Sequence, residues 1–382
     1  MHMDKLITKA VAEVIAAEHL ERQLKSGNKL RVKLGIDPTS PVLHLGHLVP
    51  LLKLKQFQDA GHKAVLIIGD FTAMIGDPSG RSETRKPLTE SQIKSNFKTY
   101  LKQAEKVIDT KKIEVHYNSE WYKKGGLNLL LELTAKVTVQ QVLKRDDFDK
   151  RLKEGDDLSI LEILYPLLQG YDSVAVKADL EIGGTDQKFN LLMGRRLQRI
   201  YGYAEQDVMM LPLLLGTDGI RKMSKSYGNF IALTDKPEDI FGKVMSLPDT
   251  MLSSYIEVFT PSGFPEIMSP HEAKQALSEE IIKLLYDEKK AEKAKENFHK
   301  VFSKKEVPAE MPTIGIAEDE INIINLLILS GVPSKTEARR LVTQKAVDIG
   351  GNTIENQNEN IKVNGPLVLK VGKKRFFRIV RL

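Results

Sequence analysis

The 382-residue chain contains no cysteine. Disulfides, thiolate zinc sites, iron–sulfur clusters and a cysteine nucleophile are thereby excluded, and the absence fits a reducing cytoplasm, the expected location. The chain also lacks an apolar run near the roughly 18 residues a membrane-spanning helix requires, so no membrane partner is expected. Near the N-terminus the stretch VAEVIAA is split by Glu13, and no secretory signal is expected. Internal repeats and low-complexity segments are absent as well. What is present is ordinary for a soluble globular protein: 41% hydrophobic and 28% charged residues, in a length that suits two or three domains.

The formal net charge is +6, from 57 basic and 51 acidic residues. It is unevenly spread. Residues 321–382 hold eleven Lys and Arg against four Asp and Glu, a net of +7, so the other residues sum to 6 − 7 = −1. A nearly neutral body with a basic, apolar-patterned tail points to a polyanion held mainly at one end.

Residues 4–24 read as one amphipathic helix. A strand at 29–36 runs into the turn Asp37-Pro38-Thr39-Ser40. A helix follows at 46–60, then the continuously apolar strand 64–69, which together make a βαβ unit. Residues 88–171 are patterned as a helical insertion. A strand at 179–184, a helix at 186–200, a strand at 208–215 and a Lys/Ser/Gly-rich loop at 219–229 complete the first part. Residues 237–302 are again helical, and the proline-containing linker 307–313 leads to the tail.

Two short words carry chemistry. His44-Leu45-Gly46-His47 stands where a strand and turn feed a helix N-terminus, a place where unpaired N–H groups attract phosphates. Alone, the word does not separate ligands from histidines that cap or pack. A metal reading also exists, but no acidic or Cys partner sits at a suggestive spacing. Lys222-Met223-Ser224-Lys225-Ser226 pairs two lysines with small hydroxyls in a glycine-flanked loop, suited to clamp a polyphosphate. Alone, it equally describes a solvated loop. Together and in this order, the two words favour nucleotide chemistry.

The pair H-L-G-H and K-M-S-K-S resembles the signature of class I aminoacyl-tRNA synthetases. The stretches 35–39 (GIDPT), 75–80 (IGDPSG), 168–172 (LQGYD) and 183–187 (GGTDQ) are similar to the bacterial tyrosyl branch, and the tail resembles the small RNA-binding module named after ribosomal protein S4. The resemblance implies an α/β fold: a Rossmann-like parallel sheet with a helical insertion, then a helical domain and a small S4-like α+β domain. The boundaries expected are 1–230 for the catalytic part, 231–312 for the anticodon-side helices and 319–382 for the tail. It implies ATP with Mg²⁺ as substrate, L-tyrosine and tRNA(Tyr) as partners, a homodimer meeting near residues 127–142, and neither an organic cofactor nor a structural metal.

The family's site residues transfer by motif position. His44, His47, Lys222 and Lys225 would act on the phosphates, with Arg81 and Arg85 as helpers. Asp37, Thr39, Gly46, Gly184 and Asp186 would join them around ATP. Asp77, Tyr165 and Gln169 would hold the tyrosine ammonium, Gln187 its carboxylate and Asp172 its phenol. Where another bacterial subgroup has a tyrosine two residues before the glycine at 35, this chain has Lys33. Asp70 lacks a counterpart there. Either Lys33 takes a polar role in the tyrosine pocket or the phenol is held differently; Asp70 either lines that pocket or ends a strand. Lys335, Arg339, Arg340, Lys373, Lys374, Arg375 and Arg378 are the expected tRNA contacts in the tail, whose Phe376 and Phe377 read as core. Three other readings stay open on the sequence: a tryptophan enzyme of the same fold, a nucleotidylyltransferase with the H-x-G-H word, and a non-catalytic RNA-binding protein.

Overall fold

A computed structural model describes residues 3–79, 88–260, 268–303, 311–372 and 375–381. Internal packing divides the chain into two units, Met1–Glu292 and Lys293–Leu382.

The first unit opens with α1 (Met3–Thr8), β1 (Glu13–Ile15) and α2 (Ala17–Lys25). The single helix expected over 4–24 is therefore broken. Ala10 and Ala16 adopt left-handed backbone, and Glu13–Ile15 pair antiparallel with Val208–Met210 at a sheet edge. The β-branched pair Val14-Ile15 gains a ladder there that local periodicity could not foretell. Buried Lys53 secures this segment, donating to the carbonyls of Leu6 (3.0 Å) and Lys9 (2.7 Å).

Next come β2 (Arg31–Ile36), α3 (Leu45–Asp59), β3 (Lys63–Ile68), the single turn α4 (Thr72–Ile75), α5 (Glu90–Ala104), β4 (Glu114–Tyr117) and α6 (Ser119–Lys136). Then follow α7 (Val139–Val142), α8 (Asp146–Glu154), α9 (Ile160–Val176), β5 (Leu180–Gly184), α10 (Lys188–Ile200) and β6 (Asp207–Leu211). The stretch 88–171 is thus not helical throughout. Glu114–Tyr117 forms a strand parallel to β3, where a short, charged segment carried no strand signal of its own.

The six-stranded sheet has the order β1-β6-β5-β2-β3-β4, parallel except for β1. The chain builds outward from β2 through β3 and β4, then returns to add β5 and β6 on the other side. β2 and β5 thus flank a topological switch point, where a crevice opens beyond the strands' carboxyl ends. β3 and β6 are buried along nearly their whole length, as strands covered on both faces must be. α3 is buried on most of its sides, through Leu45, Leu48, Val49, Leu51, Leu54 and Phe57. α9 crosses α10 so closely at Gly170 that a Cβ there would stand 3.0 Å from the Gly194 nitrogen, so any larger residue would press on the α10 backbone.

The unit continues through α11 (Pro237–Met245), α12 (Leu252–Phe259) and α13 (Pro270–Leu285). Ser269 caps α13 reciprocally with Glu272, the S-x-x-E pattern of a helix start. The last helix, α14 (Glu288–Ser303), crosses the boundary between the units.

The second unit holds β7 (Thr313–Ile316), β8 (Glu320–Asn322), α15 (Ile323–Leu329), α16 (Lys335–Thr343), β9 (Val347–Ile349), β10 (Asn352–Thr353), β11 (Asn360–Lys362), β12 (Leu367–Val371) and β13 (Arg375–Arg381). Its main sheet runs β10-β9-β12-β13-β7, beside a β8–β11 ribbon. Ile323, Leu327, Val342, Leu369 and Ile379 fill its core, against which Phe377 packs; Phe376 is buried too. Both aromatics are structural, as expected.

Candidate active site

A cleft of about 650 Å³ opens at the switch point, and the ends of β2 and β5 contribute Gly35–Asp37 and Gly183–Gly184 to its lining. On one side stands the start of α3. His44 is its N-cap residue, in extended backbone. The His44 backbone N–H donates to His47 Nδ1 (3.2 Å). Burial, and secondarily the Lys225 charge, lowers His47 to about 4. Burial, then the His47 and Lys225 charges, lowers His44 to about 2. Both rings are neutral at pH 7. Because His47 Nδ1 accepts, its hydrogen sits on Nε2, leaving a fixed N–H donor. His44 Nδ1 is buried without a partner, and the two rings lie 3.9 Å apart.

Asp37 lies at the foot of this wall. It accepts from Thr72 Oγ1 (2.8 Å) and Tyr165 Oη (2.9 Å). Burial raises its pKa to about 7; the Thr72 bond opposes this and the Asp77 charge adds to it. Gly69 packs so tightly that a Cβ there would lie 1.9 Å from Asp37 Oδ1.

Further in, Asp172 projects from α9. Trp121 Nε1 donates to it at 3.0 Å and Asn118 Nδ2 at 3.3 Å, and Tyr122 Oη lies 3.1 Å away. Burial lifts Asp172 to about 7, against the pull of the Lys33 charge and these bonds. Asp77, Tyr165, Gln169 and Gln187 line the same end. Gln187 Nε2 donates to Asp77 Oδ2 (2.7 Å), and Asn190 Nδ2 donates to both Gln169 (2.9 Å) and Gln187 (3.0 Å).

The loop with the two lysines packs beside the start of α3, with Met223 next to Gly46. Lys222 Nζ lies 3.2 Å from Asp186 Oδ2, and Lys225 Nζ donates to Ser40 Oγ at 2.5 Å. Burial lowers Lys225 to about 8. Asn229 braces the loop by accepting from Ser224 N (2.8 Å). Gly184 comes so near Asp186 that a Cβ would sit 2.6 Å from its Oδ1.

The cleft thus gathers His44, His47, Lys222, Lys225, Asp37, Thr39, Gly46, Gly184, Asp186, Asp77, Tyr165, Gln169, Asp172 and Gln187, all singled out from sequence. Lys33 and Asp70 do not line it. Lys33 is fully buried within the sheet, its Nζ bonded to Glu181 Oε1 and Ser173 Oγ, both at 2.8 Å. Asp70 accepts from Ser119 N (2.9 Å) and Oγ (2.6 Å) at the start of α6. Arg81 and Arg85 lie outside the described residues, as do Lys373 and Lys374. In the second unit, Lys335, Arg339, Arg340, Arg375 and Arg378 are all exposed. Arg340 is paired with Glu337 (2.6 Å), and Arg375 acts on that same carboxylate through its charge.

Sequence reasoning missed Ser40, Thr72, Asn118, Trp121, Tyr122 and Asn190. Ser40 falls in the turn read at 37–40 without a role of its own; the role of each of the six is identified only by the partner that folding brings to it.

Residues 25–303 match the family described as class I tRNA synthetases (W and Y), and residues 304–379 match the SYY-like C-terminal domain of tyrosine–tRNA ligases. The tyrosine–tRNA ligase of Aquifex aeolicus is 49% identical, with 98% of each chain covered. That of Thermotoga maritima is 48% identical, over 98% of this chain and 96% of its own. The structure of tyrosyl-tRNA synthetase from Archaeoglobus fulgidus, complexed with L-tyrosine, has the same fold: TM-score 0.62 at 24% identity, over 76% of this chain and 98% of that one.

Proposed function

The chain belongs to the tyrosine–tRNA ligases of the class I tRNA synthetases, and on that premise we propose that it activates L-tyrosine with Mg²⁺-ATP and then transfers tyrosine to the 3′ end of tRNA(Tyr). One observation carries this reading. A single cleft joins neutral imidazoles and loop lysines at one end to a buried, donor-ringed Asp172 at the other.

In the first step the tyrosine carboxylate attacks the α-phosphate, and pyrophosphate leaves. The nucleophile is already an anion, so no general base is required. Catalysis rests on positioning and on donors aimed at developing phosphate charge. His47 Nε2–H, His44, Lys222 and Lys225 supply these, with Arg81 and Arg85 as helpers. Asp37, Thr39 and Gly46 lie along the nucleotide. Asp186 holds the ribose hydroxyls, and Gly184 leaves room for it. Asp77, Tyr165 and Gln169 take the ammonium, and Gln187 donates to the carboxylate. In the second step the terminal ribose hydroxyl of the tRNA attacks the adenylate carbonyl and AMP departs.

Asp172 accepts the phenolic hydrogen. Phenylalanine leaves this buried acceptor short of its partner, a cost of about 1–3 kcal/mol or more for a charged group. The proposed division of labour is 1–230 for the chemistry, 231–312 for the anticodon side and 319–382 for a further tRNA clamp through Lys335, Arg339, Arg340, Lys373, Lys374, Arg375 and Arg378. The proposed location is the cytoplasm; among the described residues no helix is long and apolar enough to cross a membrane.

Exchange of labelled pyrophosphate into ATP, run with each of the twenty amino acids, tests the activity. Tyrosine alone supports exchange; exchange with tryptophan, or none with any, overturns the reading. Asp172 is the stronger acceptor for the phenol when ionised, and burial raises its pKa to about 7. The kcat/KM for tyrosine therefore falls as pH drops below about 7, toward the lower plateau set by the neutral carboxyl. Asp172→Asn starts low and loses the part of this limb that Asp172 contributes.

The chain is proposed to act as a homodimer. Leu127 and Leu131 on α6 and Val139 on α7 are exposed by 68%, 58% and 58%. Leu127 and Leu131 stand one helical turn apart, so they share a face. An apolar face of this kind is expected to be covered by a second copy. Sedimentation equilibrium should give a dimer for the native chain and a monomer for Leu131→Glu; an unchanged dimer in the variant removes this face from the interface.

A further inference from the structure

Resting on the tyrosine reading, we infer that Arg145 and Asn190 are positioning residues that set the direction of the Gln169 and Gln187 amides in the tyrosine-binding end of the cleft. Arg145 belongs to the helical insertion, at the turn between α7 and α8, and is 5% exposed. Asp147 grips one edge of its guanidinium, at 2.7 Å from Nε and 3.0 Å from Nη2. The other edge reaches Ser79 Oγ through Nη2 (2.7 Å) and Asn190 Oδ1 through Nη1 (3.2 Å). Neither Arg145 nor Asn190 lines the cleft.

A guanidinium can only donate. Asn190 must therefore turn its oxygen to Arg145 and its NH₂ inward, where it donates to Gln169 Oε1 and Gln187 Oε1. With its oxygen engaged, Gln187 directs its NH₂ to Asp77 Oδ2 and keeps one hydrogen for a ligand oxygen. Ser79, held by Arg145, donates its backbone N–H to Asp77 Oδ1 (2.9 Å). Of the four side chains assigned to the amino acid's ammonium and carboxylate, Gln169 and Gln187 thus take their donor–acceptor polarity from one arginine on another element, and Asp77 is held by the donors this polarity turns toward it. An uncommitted amide would spend part of its time flipped, with an acceptor facing the substrate carboxylate. The helical insertion on this account completes the amino-acid end of the site as well as presenting an apolar outer face.

Asn190→Asp separates this role from a packing role. It keeps the side chain's shape and still accepts from Arg145, but it cannot donate to Gln169 or Gln187. In pyrophosphate exchange by the full chain, with tyrosine and ATP varied in turn, it should raise the tyrosine KM at least about tenfold and leave the ATP KM within about twofold. Arg145→Lys keeps the charge without the fork and should show the same split at smaller size. An unchanged tyrosine KM in Asn190→Asp, or equal rises in both KM values, overturns the inference. If Asn190→Asp does not fold, the split in Arg145→Lys decides by the same criterion. Silence of the unsubstituted chain with tyrosine removes the underlying reading and this one with it, and is recognised by occurring without any substitution.

Discussion

Lys33→Met is expected to lower the unfolding free energy by about 3–5 kcal/mol, because it leaves a buried carboxylate without its counter-charge. Lys33 and Glu181 are 0% and 1% exposed and stand directly opposite each other in the β2–β5 register. Removing the ammonium leaves Glu181 to Ser173 Oγ (2.9 Å) and Gln206 Nε2 (2.5 Å) alone. Neutralising both partners removes most of that cost, so Lys33→Met/Glu181→Gln should recover much of the loss. Trp121, the only tryptophan, lies beside Asp172 and reports unfolding of the first unit by fluorescence in urea. A loss under about 1 kcal/mol in Lys33→Met would show that water reaches the pair. The same variant withdraws a charge that holds the Asp172 pKa down, so the acid limb of tyrosine activation should move to higher pH.

Lys225→Ala carries the largest kinetic effect. Its ammonium sits near the start of α3, bonded to Ser40 and acting on both histidines, where a departing pyrophosphate would develop charge. Removing one such donor from a water-poor site costs about 10²–10³ in rate, or about 2.7–4 kcal/mol. Single-turnover adenylate formation should slow by that factor with tyrosine affinity unchanged, since Lys225 is remote from Asp172 and the amide cluster. A rate within threefold of the native chain would mean that the loop lysines only bind ATP. The Lys222→Ala variant should differ in character: it also frees Asp186, so its ATP affinity reflects both a lost phosphate contact and a lost internal partner.

Much of this site could be read before folding because its residues lie in short contiguous words. H-L-G-H, G-G-T-D-Q and K-M-S-K-S each sit at a strand end or loop, where local sequence dictates the turn. The βαβ unit from β2 to β3 was equally legible, from a turn signature and an apolar run of strand length. The illegible parts depend on distant partners. A lysine in a strand reads as a polar residue at a surface or pocket; only Glu181, on a strand far along the chain, makes Lys33 an interior residue. Asp70 reads equally as pocket lining or as a strand end, and only its bonds from Ser119 N and Oγ show what it holds. Glu13–Ile15 and Glu114–Tyr117 became strands because β6 and β3 offered edges, against weak local preference. The ring of Asn118, Trp121 and Tyr122 around Asp172 has no spacing signal, since α6 meets α9 only in the folded unit.

The contact between Lys222 and Asp186 has a further consequence for the order of events. Without nucleotide, the carboxylate proposed to anchor the ribose is already occupied by the protein's own lysine. That lysine is an internal competitor: the ribose must displace it, and the observed ATP affinity is the intrinsic one reduced by the fraction of molecules in which Asp186 is free. Displacement also liberates the ammonium at the moment when triphosphate arrives next to it. Ribose recognition and charge delivery are in this way a single exchange of partners, and a ligand with phosphates but no ribose would find the lysine still engaged.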